Sequence, residues 1–123
     1  MEKLSEKELE AVLSLNAEYR QAFFNNKSKE NQGLFIILQE EGPFMLEDEN
    51  EEVGDKYYIL PVFPYEELAQ AYVSSTGVNA KVQFITSKAW NESWVNMLVE
   101  NKVMLGFIPV SDQDFAVDDP KNI

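Results

Sequence analysis

Apolar positions near the start of the chain recur at helical spacing. Ser5 followed by Glu8 forms a capping-box pattern, and Leu9, Val12 and Leu13 continue behind it. Asn16 supplies a second cap, with Tyr19, Ala22 and Phe23 repeating at three and four residues. A break near Asn16, giving two short helices rather than one bent helix, is therefore expected. The polar run Asn25 to Gln32 ends this region, and Gly33 opens the next.

From Gly33 the period changes. Leu34-Phe35-Ile36-Ile37-Leu38 is a continuous apolar run, which predicts a strand covered on both faces. Glu40-Glu41-Gly42 reads as a turn, Pro43 to Leu46 as a short partner strand, and Glu47 to Asp55 as a polar loop. Tyr57 to Leu60 with Val62 and Phe63 makes a third strand; Pro61 lacks a ladder donor and puts a strand end or an edge there. Pro64 sits where a helix has its first residue, and Glu66 and Glu67 suit the positive end of its dipole. Leu68, Ala71 and Tyr72 give that helix its buried stripe, and Ser74 to Gly77 closes it. Lys81 to Ile85 alternates like a strand with Val82 and Phe84 on one face. Thr86 or Ser87 caps a long helix whose apolar face is Trp90, Trp94, Met97 and Leu98. Val103 to Val110 is a strongly apolar strand, and Phe115 to Val117 adds a small last one. This order predicts an α+β fold, a single domain over residues 1–123 with a mixed, mostly antiparallel sheet packed with helices.

Charge changes the picture more than any motif does. The 123 residues carry 22 Asp and Glu against 10 Lys and Arg, a net charge of −12, with no histidine and no cysteine. Such a field repels phosphate backbones and anionic membranes and attracts basic surfaces. The missing residues remove the commonest general base, the thiol nucleophile and the usual transition-metal ligands. An apolar content of 45% supplies a packed core without disulfides. The charged start MEKLSEKELE is not followed by a signal-like apolar run, and the longest apolar stretch falls far short of the ~20 residues of a membrane helix. A soluble cytoplasmic protein is the expectation.

The segment Glu47 to Asp55 places six carboxylates in nine residues. Asp48, Asn50 and Glu52 alternate as in a calcium loop, but Val53 stands where that loop needs glycine, and strands rather than helices flank it. A docking surface for a basic protein partner is the better functional reading, beside the plainer one of a solvated connection. The residues that would form it are Glu40, Glu41, Glu47, Asp48, Glu49, Glu51, Glu52 and Asp55. Trp90 and Trp94 lie one helical turn apart, a spacing that core packing explains without a ligand. No phosphate loop, nucleophile elbow or zinc spacing is present, so no catalytic residue, cofactor or metal is assigned.

Several short segments, taken together in this order, also carry a resemblance. They are Asn31-Gln32-Gly33-Leu34-Phe35, Leu60-Pro61-Val62-Phe63-Pro64 leading into Glu67-Leu68-Ala69, Trp94-Val95-Asn96-Met97-Leu98 and Gly106-Phe107-Ile108-Pro109-Val110. The chain resembles a family of small acidic bacterial proteins catalogued as domain of unknown function 2750, over nearly its whole length. The family turn usually has tryptophan where this chain has Phe63. A looser likeness is to SseB-type domains. Both resemblances imply a compact α+β module, and neither supplies a catalytic residue.

The expected function is a non-catalytic acidic domain that engages a basic protein, with an immunity-type protein neutralising a basic toxin as one specific form. The alternative is a small-molecule or metal-binding regulator with a pocket near the tryptophan-bearing helix. Hydrolysis by a carboxylate pair is a third, unsupported by any spacing.

Overall fold

The computed structural model describes residues 3–50, 55–110 and 114–122, with side chains described for all of these except 48–50, 55–57 and 122. Ser5 closes the expected capping box at the head of α1 (Glu6–Leu13): its hydroxyl accepts from the Glu8 N–H and the Glu8 carboxylate accepts from the Ser5 N–H, both at 3.2 Å. Hydrogen bonding to the carboxylate, from the Ser5 side chain first and then from its N–H, holds the Glu8 carboxyl below its ordinary range. A depressed folded-state pKa gives stabilisation that is present at neutral pH and fades as pH falls through the folded titration. Ser5→Ala keeps the backbone bond, and is expected to raise the Glu8 midpoint, followed by NMR, part of the way toward that of an ordinary exposed glutamate. An unchanged midpoint would refute the cause given.

The expected break occurs at Asn16, whose side chain accepts from the Tyr19 N–H at 3.0 Å and starts α2 (Ala17–Glu30). Two expectations fail in α2. The polar run from Asn25 does not end it, because the helix continues to Glu30 with Lys27 and Lys29 in the last turn, where cations complement the dipole. The buried face is also rotated. Tyr19 is 64% exposed, while Arg20, Phe24 and Ser28, four residues apart, are buried.

Strands β1 (Gly33–Gln39), β2 (Gly42–Pro43) and β5 (Lys81–Thr86) form a sheet in the order β2-β1-β5. Strands β3 (Leu46–Asn50), β4 (Asp55–Val62), β6 (Val103–Phe107) and β7 (Ala116–Asp118) form another in the order β3-β4-β6-β7. Among the described strands only β4 and β6 run parallel, so the pairing is mixed and mostly antiparallel, as expected, but divided between two sheets. A seam joins them: Phe35 and Phe63 exchange N–H to carbonyl bonds of 2.8 and 3.0 Å. The run Gly33 to Ile37 is buried throughout, as a strand covered on both faces should be.

Pro61 does not end its strand, for β4 continues to Val62, but it does lie where one side of β4 is locally an open edge. The reason is local. Phe63 donates toward β1, so by alternation the nitrogen of Pro61 faces the same side, and there the β3 pairing has already stopped at Leu46↔Ile59. No ladder bond is lost. The partner strand expected from Pro43 to Leu46 shrinks to β2, and the segment from Leu46 becomes β3 in the other sheet. At the far end β6 stops at Phe107, short of the expected Val110, because Ile108 adopts a left-handed φ of 45°.

Helix α3 (Glu66–Thr76) buries Leu68, Ala69 and Tyr72 rather than Ala71, and its Glu67 carboxylate accepts from the Leu4 N–H. Thr86 caps α4 (Ser87–Ala89), which passes without a break into a π-helical turn (Trp90–Trp94) and α5 (Val95–Glu100). Buried Trp90 and Leu98 and half-buried Trp94 and Met97 form the expected apolar face. A 3-10 turn (Pro120–Asn122) follows β7. The α+β architecture thus buries one apolar cluster from Leu4 to Ile108 between the helices and the sheets. Among the described residues no helix is long and apolar enough to cross a membrane.

Candidate functional site

Strand β3 carries the acidic segment along the outer edge of its sheet, where Leu46 to Asn50 pair with Ile59 to Asp55 on one side only. Glu47 and the backbone of Asp48 and Glu49 therefore lie on a strand, not in the loop expected for them. The β4 ladder fixes their spacing despite their low strand propensity. Glu40 and Glu41 lie in the turn between β1 and β2, and with Glu47 they are exposed. Asp55 opens β4. Glu51 and Glu52, the side chains of Asp48, Glu49 and Asp55, and the calcium-like pattern through Val53 lie outside the described residues.

Beside this edge lies a cleft of about 420 Å³ whose wall includes Met45, Glu47, Tyr58, Met97 and Gln39, the neighbour of Glu40. Glu47 faces Tyr58 in the strand register, and Tyr58 is 41% exposed. Among the described residues the ion pairs are Arg20–Asp114 and Lys27–Glu30, so Glu40, Glu41 and Glu47 keep their charge unpaired. No group of three or more acidic side chains among the described residues is placed to hold a metal ion.

A second hollow, of about 210 Å³, lies where the end of α2 meets the start of β1 and the π-helical turn, lined by Ser28, Lys29, Leu34, Ser87, Trp90 and Asn91. The Ser87 N–H donates to the Gln32 carbonyl at 2.9 Å and ties the two sides together. Gly33 makes this closeness possible, since a Cβ there would stand 2.5 Å from the Ile85 carbonyl oxygen and 2.5 Å from the Phe84 ring. Trp90 is 2% exposed, stacks on Trp94 at 6.2 Å, and its indole N–H has no acceptor among the described residues.

The third polar arrangement was not foreseen from the sequence. Arg20, the chain's sole arginine, is 1% exposed, and each of its three side-chain nitrogens donates a hydrogen bond. Its Nε donates to the Ile108 carbonyl at 3.0 Å, one terminal nitrogen to the Leu15 carbonyl, and the other to the Asp114 carbonyl at 2.7 Å and carboxylate at 3.0 Å. Every acceptor but one is main chain, so the guanidinium serves as a pin between α2 and the segment after β6. The available signal was a lone arginine among lysines, four residues before the buried Phe24. Arginine's fork of donors suits such a role better than an ammonium.

Residues 21–123 match the family model described as "Protein of unknown function (DUF2750)". No curated protein and no solved structure matches the chain, so the likeness to SseB-type domains gains no support.

Proposed function

The chain belongs to the DUF2750 family of proteins of unknown function, and we propose that it is a non-catalytic acidic domain that engages a basic protein partner. The observation that carries this reading is the exposed set Glu40, Glu41 and Glu47, which has no ion-pair partner among the described residues, with Glu47 in the wall of a cleft that also holds methionine and tyrosine. Charges of this kind steer a basic protein into encounter, and the cleft offers its aliphatic stems an apolar bed. Main-chain groups on the open side of β3 add hydrogen-bonding capacity for an extended segment. The setting is cytoplasmic, and neutralising a basic toxin is one form the activity takes.

A second reading rests on the same strand. Acidic residues on a sheet edge keep copies of a protein from pairing edge to edge. Capture from a lysate of the source cells, with wild type and with Glu40→Gln/Glu41→Gln/Glu47→Gln, separates the two. Partner engagement predicts basic proteins held by wild type at low salt, released as salt rises, and bound at least about tenfold more weakly by the variant. A variant that keeps the same bound proteins but self-associates supports edge protection and overturns partner engagement.

A further inference from the structure

We propose that the hollow beneath Trp90 is a binding site for a small organic carboxylate. An indole N–H that is shut away from water and lacks an acceptor costs free energy unless something pairs with it, so its position asks for an explanation. Trp90 lines this hollow together with Ser28, a residue 6% exposed whose hydroxyl donates to the Asn25 carbonyl over a stretched 3.5 Å. Asn91 and Ser87, which also line it, are residues whose side chains carry donors.

Charge gives the ligand its sign. In a chain of net charge −12, no Asp or Glu among the described residues lines this hollow, while Lys29 does. The neighbouring Lys27 is occupied by Glu30 at 3.2 Å, whereas Lys29 has no ion-pair partner among the described residues. An ammonium at the rim with neutral donors behind it is complementary to an oxyanion. Leu34 and the Trp90 ring give the apolar remainder of the molecule its contact. At about 210 Å³ the space is below the ~300–1,000 Å³ usual for drug-sized ligands, which points to a short organic acid.

The local backbone suits a site as well as a core. The π-helical turn Trp90–Trp94 changes the regular ladder at the residues Trp90 and Asn91 that line the hollow, and such turns recur at functional sites. This inference is independent of the acidic edge: its residues lie on α2, β1, α4 and the π-helical turn, and none belongs to the set proposed for the basic partner.

The test uses the two tryptophans, Trp90 and Trp94, which are the chain's only ones and stack on each other. Intrinsic fluorescence is titrated with acetate, propionate and benzoate against sodium chloride of equal ionic strength, with inorganic phosphate as a separate arm. A saturable change with at least one carboxylate is expected. Its dissociation constant should rise about tenfold or more in Lys29→Met, where the fold is undisturbed because Lys29 is exposed. Trp90→Phe keeps a ring and removes the N–H, and should abolish the thermal stabilisation given by the same carboxylate in wild type. No saturation by any carboxylate, saturation by phosphate alone, or carboxylate binding unchanged in Lys29→Met would each overturn the proposal.

Discussion

Arg20→Met is expected to cost about 3–5 kcal/mol of folding stability, the largest effect of any single substitution considered for this chain. Exchanging a buried ion pair for well-packed apolar residues is often neutral, because both charged partners leave together. Here they do not. The Leu15, Ile108 and Asp114 carbonyls belong to the main chain and stay behind when the guanidinium goes. Leaving a buried acceptor unpaired costs about 1–3 kcal/mol each, reduced where water or a small shift repairs it. Urea denaturation should show the loss, with a fall in Tm of roughly 10–20 °C for a chain of this size. Asp114→Asn provides the contrast. Its carboxylate is 57% exposed and its main-chain bond to Arg20 survives the change, so the effect should stay within about 1 kcal/mol. Equal losses in the two variants would show that the ion pair, not the carbonyl set, holds this corner.

Gly33→Ala follows, at about 3 kcal/mol. The added methyl would meet the Ile85 carbonyl oxygen and the Phe84 ring at 2.5 Å. A ring can tilt, but the carbonyl belongs to the β1–β5 ladder, where Gly33 pairs with Thr86 and Leu34 with Ile85. Relief therefore requires those strands to part at the end that carries the Trp90 hollow. The expected reading is a thermal melt lowered by about 10 °C together with a changed tryptophan fluorescence in the native protein. A melt within two or three degrees of wild type would mean that the strands are free to separate there at little cost.

Legibility in the sequence tracked how locally each signal was encoded. Ser5 with Glu8, and Asn16 before Tyr19, act within one helical turn, and the helices begin where those residues stand. The run Leu34 to Ile37 was readable because a strand covered on both faces needs no alternation. The buried face of α2 was not readable, since two of its members, Arg20 and Ser28, are polar and gain their place from Ile108, Leu15, Asp114 and Asn25. No apolar period marks such a stripe. Strand β3 was read as a loop because its carboxylates disfavour strands, while the pairing that imposes one comes from Tyr57 to Ile59. Pro61 was legible in part: it marks a locally open side of β4 but not the strand's end, because its tolerance depends on where β3 stops on the neighbouring side. In the candidate surface, Glu40, Glu41 and Glu47 are exposed as read, but the methionine and tyrosine cleft beside them draws on β4 and α5, far along the chain. The Trp90 hollow likewise needs α2 and β1 brought against the π-helical turn.

The Arg20 pin has a consequence for biosynthesis. Its acceptors at Ile108 and Asp114 are translated 88 and 94 residues after the arginine itself. Ile108, buried with a left-handed backbone, is held by its N–H bond to Val62 and by the same guanidinium. While the ribosome is still making β6, an emerging chain has capped helices and the first sheet within reach but no lock for α2. The guanidinium then remains hydrated, and closure waits for contacts of long sequence separation, which form slowly. Premature termination before Ile108 leaves a product with most of its greasy residues and no means of fastening them, a ready substrate for quality-control proteases.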